Sequence, residues 1–166
     1  MALINNIGAG IFTTLKYKED SSYTLPTTSG EHQTFITAST GDFDGASSIH
    51  SIREFPSFGK PSNIVNVPNY GQSVSSQIQG QADAPTMEFT LNYVPSLHAT
   101  VQGLIQDGKQ YVFQIDVKNS EGGNNGAFYV KGSFASFEVT PSLTDSNQAT
   151  ITMSTSGDYV GPFADA

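Results

Sequence analysis

The sequence predicts a mainly β protein: a two-sheet β-sandwich or barrel with one flanking α-helix at about 96–107 and a long loop at about 41–70. Three observations predict it. In Met87, Phe89, Leu91 and Tyr93 the large side chains take alternate positions, with Glu88, Thr90 and Asn92 between them, the period of a half-buried strand. The same alternation returns in Tyr111, Phe113, Ile115 and Val117 against Gln114, Asp116 and Lys118, and in Ala149, Ile151 and Met153 against Thr150, Thr152 and Ser154. One window has helical spacing instead, with Leu97, Val101, Leu104 and Ile105 on a single stripe.

In chain order, residues 1–10 read as an N-terminal arm, because Gly8-Ala9-Gly10 lacks the preceding strand and third glycine of a nucleotide-binding loop. Ile11–Tyr17 and Gln33–Ser39 look like short strands, joined by the polar, mobile stretch Lys18–Glu31. Between 41 and 70, Gly41, Gly45, Pro56, Gly59, Pro61 and Pro68 break every period while Phe43, Phe55, Phe58 and Tyr70 recur. Such a loop either docks on a partner or folds back over its own core; the aromatics favour docking. Ser96 is expected to cap the helix after Pro95, and Gly108 to end it. Gly122, Gly123 and Asn125-Gly126 predict a hairpin between strands 111–118 and 127–139, with a bulge near Gly132 and Ser133 where the alternation slips. Residues 160–166 read as a C-terminal tail of a single domain, 1–166.

A chain of 166 residues can bury roughly 70% of its unfolded surface, so it needs neither metal nor disulfide for stability. With no Cys, it has no disulfide scaffold, thiolate zinc or iron-sulfur site, or cysteine nucleophile. A formal charge of -8 disfavours a protein that grips phosphates through a basic surface. Short apolar runs and a start without basic residues predict neither a membrane partner nor a secretory leader, hence a protein made in the cytoplasm.

No G-x-S-x-G, P-loop or H-E-x-x-H motif occurs. His32, His50 and His98 lack paired spacing, and Asp42, Asp44 and Gly45 begin a calcium-like loop whose remaining ligands are missing. Glu88, Asp116 and Glu138 lie on or beside expected strands and could approach one another as the paired carboxylates of a hydrolase, but without Trp for a sugar platform the reading is of solvated side chains. The expectation is a non-enzyme with no cofactor and no metal.

Strands with Ser, Thr, Asn and Gln opposite an apolar face leave edges that must be blunted or paired. With 7 basic residues in the chain, lysine blunting is sparse, so pairing with copies of itself is expected, closing a ring around a polar, weakly acidic channel.

On this point the stretch 85–160 is informative: M-E-F-T-L-N-Y, then V-P-S and a helix ending L-I-Q-D-G, then K-Q-Y-V-F-Q-I-D-V, a glycine-rich hairpin, F-Y-V-K-G-S-F-A-S-F and A-T-I-T-M-S-T-S-G-D-Y-V. It resembles the major tail tube proteins of long-tailed, siphovirus-type bacteriophages and, more distantly, the Hcp tube subunit of type VI secretion. The order covers a little under half of the chain. The resemblance implies a virion protein assembled in the host cytoplasm, six copies to a ring, rings stacked into a helical tube, and DNA passing through during ejection. Implied partners are further copies of itself, a tape-measure protein and tail-terminator or tail-tip proteins. The loop at 41–70 takes the place of a stacking loop, with Arg53, Glu54, Phe55 and Phe58 as its contact residues and the N-terminal arm and Tyr159–Phe163 as second candidates. Gln114, Asp116 and Lys118 are expected to face the lumen or a neighbouring subunit, or else plain solvent. Ending at Ala166, the chain reads as a minimal tube subunit without an immunoglobulin-like appendage. The alternatives are a secretion-tube ring protein and a carbohydrate-binding β-sandwich module, the latter favoured by the Asn, Gln and Tyr content.

Overall fold

The structure is a computed structural model that describes residues 13–37, 41–59, 64–68, 70–71, 73–79, 84, 86–118 and 126–164. The N-terminal arm and most of the turn at 119–126 lie outside the described residues. The elements are β1 Thr14–Glu19, α1 Ser29–Ile36, β2 Ser47–Ile49, β3 Ile52–Glu54, β4 Ile64–Val67, β5 Ser76–Gln79, β6 Thr86–Asn92, α2 Pro95–Asp107, β7 Tyr111–Asp116, β8 Ala127–Thr140, β9 Gln148–Thr155 and β10 Val160–Phe163.

Alternation places β6 and β9 correctly, with Met87, Phe89, Leu91, Ala149, Ile151 and Met153 all buried. The helix at 96–107 is α2, but its cap differs from the one expected. Pro95 occupies the first turn, Val94 is the cap residue and gives no side-chain bond, and the Ser96 carbonyl accepts from Thr100 Oγ1 at 3.0 Å. Proline's fixed φ and missing N–H suit that first turn without a hydroxyl cap. Gly108 ends the helix at φ 61°, its N–H donating to the Ile105 carbonyl.

Gln33–Ser39 is not a strand: residues 29–36 form α1. The Thr28 Oγ1 accepts from Glu31 N, and Glu31 Oε2 accepts from both the backbone and the hydroxyl of Thr27 at 2.7 Å. These bonds satisfy donors at the helix start and outweigh the β propensity of Thr34, Phe35 and Ile36.

The eight-stranded antiparallel sheet runs β2-β1-β7-β8-β9-β6-β3, with β10 also on β8. Its two ends, β2 and β3, are joined by only His50 and Ser51. Three Cα steps span at most about 11 Å, so the sheet must curl until its ends nearly meet. Among the described residues the second sheet is the β4–β5 ribbon. The architecture is therefore a curled, barrel-like sheet rather than two facing sheets of equal weight. Ile49 and Ile52, from opposite ends of the path, join Leu15, Phe89, Phe113 and Ile151 in one interior cluster, together with Val101 of α2.

The slip in β8 lies at Ala135, two residues beyond the place expected, between the pairs Phe134–Met153 and Ser136–Thr152. That one extra residue resets the parity and puts both Phe134 and Phe137 against the interior cluster. Gly132 stays in register; a Cβ there would collide with the Ser154 backbone. Residues 160–163 are not a loose tail. They form β10, which pairs with β8 and buries Phe163 beside Phe35, Phe43 and Tyr129 in a second cluster on the outside of the sheet.

Candidate functional site

The stretch 41–70, read as one loop, contains three strands. β2 and β3 belong to the main sheet, and β4 pairs with β5 alone. In that ribbon Val65 stands opposite Ile78, and Val67 opposite Ser76, which puts Val65, Val67 and Ile78 on one face and Ile64, Asn66 and Gln77 on the other. Gly71, at φ 86°, allows the chain to reverse between the strands. Ile64, Val65 and Ile78 are 59%, 44% and 55% exposed, and Tyr70 and Val74 stand fully clear of the core. An isolated two-stranded hairpin is marginal in water. A grouped apolar face on one is a surface awaiting cover.

The residues expected to stack rings are placed differently. Arg53 and Glu54 are exposed on β3, with Arg53 3.6 Å from Asp145. Phe55 lies edge-on to Phe89 and Phe58 edge-on to Phe128, at 5.7 and 4.9 Å between ring centres. Both rings pack, half-buried, on the subunit's own core, so this segment folds back over it.

Gln114, Asp116 and Lys118 do not form an open strand face. Every residue of β7 is buried; Gln114 and Asp116 are each 5% exposed. The outside of β7 is covered by the α1 layer, where Gln114 Nε2 donates to Tyr129 Oη at 2.9 Å and that hydroxyl lies 3.0 Å from Nδ1 of the buried His32. Asp116 is paired with Lys118 at 3.0 Å. Alternation reports the polarity of a face and is silent on what covers it.

The open polar face lies elsewhere, on the outside of β6, β9 and the second half of β8. Thr86, Glu88, Thr90, Thr150, Thr152, Ser154, Ser136 and Glu138 point outward there, exposed or half-buried, with no lysine or arginine among them. Glu88 and Glu138 sit opposite Thr152 and Thr150 with β9 between them, about 12 Å apart, two strand spacings across and two residues along. Asp116 is one strand further on and neutralised, so the three carboxylates do not converge.

Three lysines elsewhere in the described residues are taken up within the subunit. Lys109 bonds Glu19 at 3.0 Å, Lys131 bonds Asp20 at 2.8 Å, and Lys18 donates to the carbonyls of Asp42 and Asp44 at 2.6 and 2.7 Å. Among the described residues no group of three metal-binding side chains occurs, and no helix is long and apolar enough to cross a membrane. His98 stacks on Phe137 at 4.6 Å with its Nδ1 3.3 Å from Tyr93 Oη, while His50 is exposed at the sheet's seam.

No family model and no curated protein matches the chain. Solved structures do match. A chain in the tail of an empty gene transfer agent particle, refined with C6 symmetry, aligns with a TM-score of 0.54 and 12% identity over 69% of this chain and 84% of its own. One in the 6-fold symmetrised baseplate of the anti-feeding prophage gives 0.57 and 6% over 91% and 92%. The SPP1 tail tube gives 0.53 and 13% over 91% and 76%. At these identities the likeness is one of fold: the chain shares its fold with chains in a gene transfer agent tail, the SPP1 tail tube and the anti-feeding prophage baseplate.

Proposed function

We propose that this chain is a structural, non-enzymatic subunit of a phage tail tube, self-assembling into stacked rings that form the conduit for DNA ejection. The β4–β5 ribbon carries the reading. It presents an apolar face that nothing in the described subunit covers, on a fold that recurs in assemblies of six-fold symmetry. A second copy is the cover that fits, and identical head-to-tail contacts repeated along an axis give an open filament. The cation-free face of β6, β9 and β8 suits the lumen, since a conduit must not hold its cargo, and a neutral to acidic wall releases no counterions from phosphates. The virion shaft is the corresponding location, assembly in the host cytoplasm the corresponding route, and tape-measure and tail-end proteins the corresponding partners.

Negative-stain electron microscopy of the concentrated protein tests this. Rings or tubes with a central hole are expected, and the double variant Val65→Asp, Ile78→Asp is expected to remain a folded monomer. Discrete monomers of the native chain at every salt concentration would overturn the reading.

A further inference from the structure

The seam where the sheet nearly closes leaves a second surface. β2 pairs with β1 on one side, and on its other side no strand lies among the described residues. This edge, Ser47-Ser48-Ile49, carries neither lysine nor proline, the residues that commonly keep an edge from pairing. Beside it runs a groove of about 330 Å³ between β2 and the start of α2, lined by Tyr17, Val94 and Leu97 and by the hydroxyls of Ser47, Ser48 and Thr100. An unpaired strand edge next to a shallow apolar groove is the arrangement that takes an extended peptide: main-chain bonds to the edge, alternate side chains into the groove.

The chain contains a segment of matching chemistry. Residues 1–12, Met-Ala-Leu-Ile-Asn-Asn-Ile-Gly-Ala-Gly-Ile-Phe, include no charged side chain and no proline. Fully extended, twelve residues reach about 40 Å. Their root decides which copy they serve. Residue 13 leads into β1, whose Leu15 is paired with Ile49, so the arm leaves the fold at the Ile49 end of β2. The His50–Ser51 link leaves β2 at that same end on its way to β3. To reach the outer edge of its own β2, the arm must cross this link; the arm of another copy meets no such obstacle.

We infer that residues 1–12 of one subunit add as an extra strand along β2 of a second copy, with apolar side chains in the groove between Tyr17 and Leu97. This rests on the tube reading only in making that second copy the next subunit of the assembly.

Because the chain has no cysteine, disulfide trapping reads the contact directly. One full-length preparation carries Ile7→Cys and another Ser48→Cys; they are mixed and exposed to a mild oxidant. A cross-linked dimer needing both variants is expected, at least about tenfold above a control pairing Ile7→Cys with Gln102→Cys on the exposed face of α2, because docking raises the effective concentration of the two thiols. A chain carrying both Ile7→Cys and Ser48→Cys that oxidises only within itself would overturn the inference, as would no cross-link above the control. Cross-linked dimers from a protein that forms no tubes would support the arm contact while removing the tube; tubes without the cross-link would do the reverse.

Discussion

Gln114 and Tyr129 stand directly opposite each other on β7 and β8, and their side chains are bonded, Nε2 to Oη, beneath α1. The same hydroxyl meets Nδ1 of His32, whose ring stacks on Phe163. One oxygen therefore ties together the sheet, α1 and a cluster that includes β10. Tyr129→Phe removes that oxygen while keeping the ring, and leaves a buried amide without its partner. The expected loss is about 1–3 kcal/mol. A chain of this length should then melt lower by roughly 2–4 °C per kcal/mol, measured by calorimetry. A variant as stable as the parent would show that the hydroxyl is not part of the packing.

Phe58 separates the folded-back segment from the ribbon. Its ring packs between Phe128 and Tyr159, with centres 4.9 and 5.9 Å away. Phe58→Asp puts a charge against that cluster, so it should destabilise the subunit itself by about 2–4 kcal/mol in urea unfolding. Val65→Asp, on the exposed ribbon, should stay within about 0.5 kcal/mol of the parent. If Phe58→Asp is folded and stable but cannot polymerise, the ring belongs to an interface after all.

Asp20 gives the fold a dependence on acid. Burial pushes its carboxyl up, but the Lys131 hydrogen bond, the Tyr23 N–H and the Lys131 charge outweigh burial and hold it below its ordinary value of 3.8. A carboxyl lowered in the folded state contributes stability above its unfolded value and loses it as pH falls through the folded one. Between about pH 5 and pH 3 the parent should lose stability more steeply than Asp20→Asn, in parallel denaturation series. Equal slopes would remove Asp20 as a cause.

Much of the sheet was legible because β6 and β9 bury one face only, so each alternates cleanly. β7 alternates too, yet both of its sides are covered, and the periodicity of Gln114 and Asp116 could not announce α1 above them. α1 itself was hidden by Thr34, Phe35 and Ile36, whose preference is for strands. The signal that could have revealed it is the Thr28-x-x-Glu31 spacing, a helix-start pattern standing before Phe35. Proline and glycine concealed β4 and β5, since punctuation at 61, 68 and 71 looks the same in a wandering loop as at the ends of a short ribbon. The same limit applies to the polar faces: Glu88, Thr150 and Thr152 alternate as Gln114 and Asp116 do, and only the layer over β7 makes the former exposed or half-buried and the latter buried.

Among the described residues the ribbon shares no hydrogen-bonded register with the curled sheet. Ile64, Val65 and Ile78 are consequently free to drift without unfolding anything. Two lineages that keep the same barrel can alter these positions, and on the proposed reading their subunits would then sort into separate assemblies rather than mixed ones.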